Sequence, residues 1–375
     1  MPTKHAILSA SSSYRWLNCP PSARLSETYE DKSSEYAAEG TDAHELCEFR
    51  LKEALGLNTQ NPIEHLTWYN EEMEDCANSY ADYVIEQVEL AKRICSDPVV
   101  MIEQRVDFSR WVPDGFGTAD CIIIADGVMN IVDYKHGKGV EVSADHNPQM
   151  MLYALGGLEI FDGIYDIEAV QMTIFQPRKS NISVCSIAKA ELLEWAESEL
   201  KPKAELAYNN EGEFHSGDWC RFCKAKAECR ERAKENLMLA RYEFKEPPVL
   251  DDSEISEILA KVDTLTAWAA DVKEYALQQA ISGKEWRGWK LVEGRSNRKY
   301  TNEDAVAKTI QNVGFDPYEH KILGITAMQK LLGKTRFEEL LSSYIEKPQG
   351  KPTLVPESDK RPAMNTAKID FMEEF

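Results

Sequence analysis

The stretch that decides the fold is Gly115-Phe-Gly-Thr-Ala-Asp120-Cys-Ile-Ile-Ile-Ala-Asp-Gly127-Val-Met-Asn-Ile-Val-Asp133-Tyr-Lys135. Two apolar runs, 116–125 and 128–134, flank Asp126-Gly127, a dipeptide that favours a type I′ turn because both central residues then need positive φ. The pattern predicts a β-hairpin. Its strands carry Asp120 and Asp133 near the open end, and Lys135 lies two residues beyond Asp133 on the same side of its strand. Two carboxylates and an amine among Cys121, Ile122, Ile123, Ile131 and Val132 cost burial energy unless something compensates, and a divalent metal would do so.

Outward from the hairpin, residues 98–108 are rich in β-branched side chains and predict a preceding strand. His136-Gly-Lys138-Gly reads as a turn, and a helix is expected over 147–158. There, Gln149 and Tyr153 stand at i and i+4 on one face. Residues 167–176 form another strand, ended by Pro177-Arg178-Lys179, and 188–208 a helix. Upstream, Gly40-Thr41 marks the start of an amphipathic helix with His44 in its first turns, and a second helix covers 68–95. A histidine at such a place is by itself usually solvated or bonded to a neighbour. The resulting order is helix, three strands, helix, strand.

Gly-x-x-Asp on one strand, Asp-x-Lys on the next, Gln-x-x-x-Tyr on the following helix and Gly-x-x-x-His upstream resemble the PD-(D/E)XK nuclease superfamily, specifically its RecB/AddB-like branch. The resemblance implies an α/β fold with an αβββαβ core. It also implies catalytic roles for Asp120, Asp133, Lys135, Gln149 and Tyr153, and Mg²⁺ or Mn²⁺ held by His44, Asp120, Asp133 and the Tyr134 carbonyl. In that chemistry the metal polarises the scissile phosphate and activates a water, Lys135 orients the water, and Gln149 and Tyr153 position the lysine and the DNA. Lys138, Arg178 and Lys179, at strand ends beside the acids, are candidate phosphate contacts.

Trp219-Cys220-Arg-Phe-Cys223-Lys-Ala-Lys-Ala-Glu-Cys229 holds a ligand-spaced thiolate triplet that leaves one position open. Cys19 would be the fourth ligand, although alone it reads as a small buried residue. An early Cys19-Pro20 after a Ser-rich, aromatic helix, with the late triplet, resembles the [4Fe–4S] staple of iron-staple nucleases in the same branch. Zinc is the rival, since four cysteines also suit Zn²⁺. Cys47, Cys76, Cys95, Cys121 and Cys185 fall in apolar stretches and are expected in the core.

Composition sets bounds. With 375 residues, 43% of them hydrophobic, the chain supports two or three domains with a packed core. It lacks an apolar run of about 18 residues and its start lacks a signal-peptide core, which predicts a soluble protein with reduced thiols, in a bacterial or phage-infected cytoplasm and away from membranes. The net charge of −21 confines any DNA path to a local basic strip. We expect a nuclease domain over 1–245, a mainly helical domain over 246–347, with a strand at 286–292, and an extended acidic-ended tail over 348–375. Gly333-Lys334-Thr335 is no phosphate-binding loop, because Met328 stands where that loop needs glycine. The expected activity is metal-dependent hydrolysis at single- or double-stranded DNA ends, as in recombination, repair or phage DNA processing. The alternatives are a structure-specific endonuclease and an inactive nuclease-fold protein that binds DNA or serves assembly. The tail faintly resembles those of single-strand-binding proteins, so a single-strand-binding or annealing protein is a candidate partner. Oligomeric state is not legible.

Overall fold

The structure, a computed structural model, describes residues 6–30, 35–93, 95–238, 250–293, 300–318, 321–346, 355 and 359. The hairpin is present: β2 (Phe116–Ala125) and β3 (Val128–Tyr134) pair antiparallel with Ala125 opposite Val128. Its turn differs from expectation. Gly127 takes φ 77° but Asp126 is not among the residues with positive φ, so the turn is not type I′. The predicted first strand is β1 (Val99–Asp107), antiparallel to β2, and β4 (Ala169–Gln176) runs parallel to β3. A strand not anticipated, β5 (Asn181–Ala188), returns antiparallel along β4 and completes a mixed sheet of order β1-β2-β3-β4-β5. Ser180, at φ 52°, closes that last hairpin. An edge strand alternating Asn-Ile-Ser-Val-Cys-Ser, with Ile182 and Val184 half exposed, lacks the apolar run that marks the inner strands.

The parallel β3–β4 connection is made by α5 (Pro148–Tyr165). The Asn147 side chain caps it, accepting from the Gln149 and Met150 N–H groups, and Pro148 suits its first turn. The helix runs past the expected end at 158 to Tyr165, and two of its glycines are contact points. A Cβ on Gly156 would lie 2.8 Å from Val106, and one on Gly157 2.7 Å from the Met129 sulfur. Strand alternation then makes two cores. Ile122, Ile124, Met129 and Ile131 pack with α5 and with Trp16 of α1 (Ser13–Asn18). Cys121, Ile123, Val132 and Tyr134 pack with Leu46 and Leu51 of α3 (Glu35–Ala54) and Tyr80 and Val84 of α4 (Glu71–Lys92). Helix α3 starts before the expected Gly40, which lies inside it. Short helices α2 (Ser22–Glu27), α6 (Lys189–Trp195), α7 (Lys201–Asn209) and α8 (Arg230–Leu237) follow in their places, with a π-helical turn, Ala196–Leu200, joining α6 to α7.

The chain divides into two compact units, Met1–Gln278 and Gln279–Phe375. Most of α9 (Asp252–Ile281) belongs to the first unit because Asp271 takes ion pairs from Arg232 at 2.6 Å and Lys226 at 2.7 Å, and Lys261 pairs with Glu235. The second unit holds α10 (Glu303–Asn312), capped by Asn302, then α11 (Ile325–Leu332) and α12 (Lys334–Leu341), with Ala307 and Phe337 buried. Residues 286–292, expected as a strand, form a turn and irregular backbone. Apart from Val355 and Asp359, the expected tail lies outside the described residues. No helix among the described residues is long and apolar enough to cross a membrane.

Candidate metal centre

Register brings three acids into line. In the β1–β2 ladder Ile102 faces Cys121 and Gln104 faces Ala119, so Glu103 stands opposite Asp120. In the β2–β3 ladder Cys121 faces Val132, which sets Asp120 opposite Asp133. Pairing lapses at Glu103 and Asp120, where Glu103 takes φ 50°, a left-handed conformation that costs a non-glycine residue about 1–3 kcal/mol. The ladder therefore opens where the acids meet. His44 of α3 reaches the same place, with Nδ1 3.3 Å from Asp120 Oδ2. Ligand atoms of His44, Glu103 and Asp120 all lie within 4.8 Å of one another, and the Tyr134 N–H donates to Asp120 Oδ2 at 2.7 Å.

Asp133 departs from the expected ligand set. It is buried, and Lys135 Nζ lies 2.8 Å from its Oδ2 while Gln149 Nε2 donates to its Oδ1 at 3.1 Å. The same amide nitrogen also donates to the Tyr153 hydroxyl at 3.1 Å, and its oxygen accepts from Lys135 at 3.1 Å. Gln149 thus joins Asp133, Lys135 and Tyr153, as the i, i+4 spacing predicted for its own helix. Gly117, of the Gly-x-x-Asp motif, makes room for that set: a Cβ there would sit 2.8 Å from the Tyr153 ring.

The charges are unevenly matched. Burial works against a charged His44, but the neighbouring Asp120 outweighs it and pushes the imidazole up to about 9. Burial also opposes ionisation of Asp120, yet His44 and Lys135 hold that carboxyl below its ordinary value. Asp133 is pushed up by burial, despite Lys135, and Glu103 rises to about 7 by burial and by Asp120. Among the described residues Glu103 belongs to no ion pair. Three acids against two bases leave one carboxylate uncompensated, beside an imidazole, so the donor set fits a small divalent cation. Sequence reasoning missed Glu103. Nothing in the chain-local pattern marks it, since its place opposite Asp120 comes from the β1–β2 register, which the hairpin between β2 and β3 does not fix.

Cys19, Cys220, Cys223 and Cys229 line one small cavity, with Arg15 beside them. Cys19 ends α1, Cys220 and Cys223 sit in and after a 3-10 turn (Asp218–Phe222), and Cys229 immediately precedes α8. None is in a disulfide. Burial pushes the Cys19 and Cys223 thiols up, the Arg15 charge working the other way at Cys223. The four thiols share a cavity with a guanidinium, but among the described residues the ligand atoms that gather within 4.8 Å of one another are those of His44, Glu103 and Asp120, not these sulfurs. Of the other cysteines, Cys47, Cys76 and Cys121 are buried as expected, whereas Cys95 and Cys185 are only half-buried.

Two of the three candidate phosphate contacts are paired with acids. Arg178 binds Glu39 at 2.9 Å and Glu72 at 3.0 Å, and Lys138 binds Glu72 at 2.9 Å. Lys179 is half-buried beside them. These pairings span both sides of the sheet's hairpin in sequence, and spacing along the chain gives no sign of them.

Residues 5–362 match the family described as "Protein of unknown function (DUF2800)", and the chain belongs to that family. A solved structure titled "Crystal structure of SSO0001" aligns with 15% identity over 49% of this chain and 94% of that one, at a TM-score of 0.22, a likeness too slight to carry an argument.

Proposed function

We propose that this chain is a divalent-metal-dependent deoxyribonuclease with a PD-(D/E)XK-type core, hydrolysing phosphodiester bonds at DNA ends in recombination, repair or phage DNA processing. The observation that carries the reading is the row Glu103, Asp120, Asp133 across three adjacent strands, with His44 at one end and Lys135 held by Gln149 at the other. The order α3-α4-β1-β2-β3-α5-β4 supports the same core. His44, Glu103 and Asp120 would hold Mg²⁺ or Mn²⁺, with Asp133 adjoining. The bound ion would polarise the phosphate and acidify a water. Lys135 places a charged donor beside the attacked phosphorus, Gln149 fixes the lysine's direction, and Tyr153 fixes Gln149. Cys19, Cys220, Cys223 and Cys229 would hold a structural [4Fe–4S] cluster, or zinc, tying the end of α1 to a segment some 200 residues later.

A second reading, a nuclease fold that binds DNA or serves assembly without cutting it, draws on the net charge of −21 and on the ion pairs that occupy Arg178 and Lys138. End-labelled linear DNA, single- and double-stranded, beside closed circles, separates the readings when incubated with anaerobically purified protein and Mn²⁺ or Mg²⁺. Loss of linear DNA alone, absent in Asp120→Asn and Lys135→Ala proteins, is the expected result. Cutting of circles would make it an endonuclease, and no cleavage with either metal would favour the second reading.

A further inference from the structure

We infer that a polar chain on the α3/α4 side of the sheet, Arg178–Glu39–His136–Tyr134, positions His44 for the metal centre, a role that rests on the proposed reading of His44 as a ligand. Arg178 pairs through one nitrogen with Glu39 of α3 and through the other with Glu72 of α4, so it ties the N-terminal turns of both helices to the end of β4. His136 is buried, with Nε2 3.3 Å from the Glu39 carboxylate that Arg178 also holds. A carboxylate only accepts, so Nε2 carries the hydrogen and Nδ1 accepts the Tyr134 hydroxyl at 2.8 Å. Every donor and acceptor of a neutral His136 ring is thereby used.

Tyr134 delivers this order to the metal centre. Its ring stacks on His136 at 6.0 Å and meets His44 edge-on at 5.5 Å, with an interplanar angle of 90°. Its backbone N–H donates to Asp120 Oδ2, the oxygen that lies 3.3 Å from His44 Nδ1. One residue therefore touches both the imidazole and the acid that orients it. Glu39 lies five residues before His44 on the same helix, so the pairing that fixes Glu39 also fixes where α3 presents the ring. A polar chain set into an apolar core is costly unless fully satisfied, and when satisfied it specifies one arrangement. Second-layer partners of metal-binding histidines act in this way.

The test uses the full-length protein and Mn²⁺ alone as the probe, titrated by calorimetry. Tyr134→Phe keeps the ring and the backbone N–H and removes only the hydroxyl, while Glu39→Ala removes the tie on α3. Both should weaken Mn²⁺ binding about tenfold or more at a temperature where the metal-free variants are still folded; Tyr134→Phe, which leaves the buried His136 Nδ1 without its donor, should also lower the metal-free unfolding midpoint. Arg178→Lys should recover only part of what Arg178→Ala loses, because one ammonium keeps the charge beside Glu39 without the fork that also holds Glu72, whereas a mere packing role would show no charge-dependent rescue. The His44 ring resonances of metal-free Tyr134→Phe should shift from their wild-type positions. Wild-type affinity in both Tyr134→Phe and Glu39→Ala would overturn the inference, as would Mn²⁺ binding unaffected by His44→Ala. Should wild type bind Mn²⁺ through His44 yet cut no DNA, the nuclease reading fails and the positioning role stands.

Discussion

At the residue scale, the acid row makes metal binding and folding respond to pH together. Glu103 has a folded value near 7 against an ordinary 4.5, and His44 near 9 against 6.5. Both are raised, so each contributes stability that is full below its ordinary value and lost as pH rises through the folded one. The metal-free protein should lose thermal stability from pH 4.5 to 7 through Glu103 and from 6.5 to 9 through His44. A bound cation needs Glu103 ionised and His44 neutral. Mn²⁺ affinity should therefore rise with pH, by up to about tenfold per unit for each proton displaced. Unfolding followed with EDTA and with Mn²⁺ from pH 5 to 9 checks this: the two curves should diverge as pH rises. Gly117→Ala belongs to this scale too. Its new methyl would press on the Tyr153 ring, and a calorimetric loss of about 1–3 kcal/mol is expected.

At the element scale, what was legible followed chain-local periods. The hairpin set Asp120, Asp133 and Lys135 together, the resemblance to the nuclease motif set singled out His44, Gln149 and Tyr153 beside them, and the structure brings these side chains to one end of the sheet, in two groups. What was not legible depended on pairing across elements. Glu103 sits between Ile102 and Gln104 like any polar strand residue until register sets it opposite Asp120. Arg178 looks like a basic strand end until Glu39 and Glu72, more than 100 residues earlier, claim it. Strand β5 was hidden by its half-polar alternation. The cysteine cavity joins α1 to the start of α8, and the proposed metal or cluster there would close the loop that contains the sheet. Removing it, by chelation or in Cys223→Ser, should lower the unfolding midpoint and reduce activity only as a consequence. Unchanged melting of metal-free Cys223→Ser would set the staple aside.

At the scale of the whole molecule, a net charge of −21 makes DNA an unfavourable neighbour except where local cations are free. Arg178 is committed to α3 and α4, so its loss should leave the salt dependence of DNA binding unchanged. Lys179→Ala should instead flatten the slope of log K against log salt by about 0.7–0.9. Equal slopes in all three proteins would remove this strand end from the DNA path.

The most direct measurement is anomalous diffraction from crystals of the full-length protein soaked in Mn²⁺. The account predicts a peak bonded by the His44 imidazole and the Glu103 and Asp120 carboxylates, beside Asp133, and its loss in Glu103→Gln. Manganese elsewhere, with His44 still paired to Asp120 and no ion between them and Glu103, would contradict it.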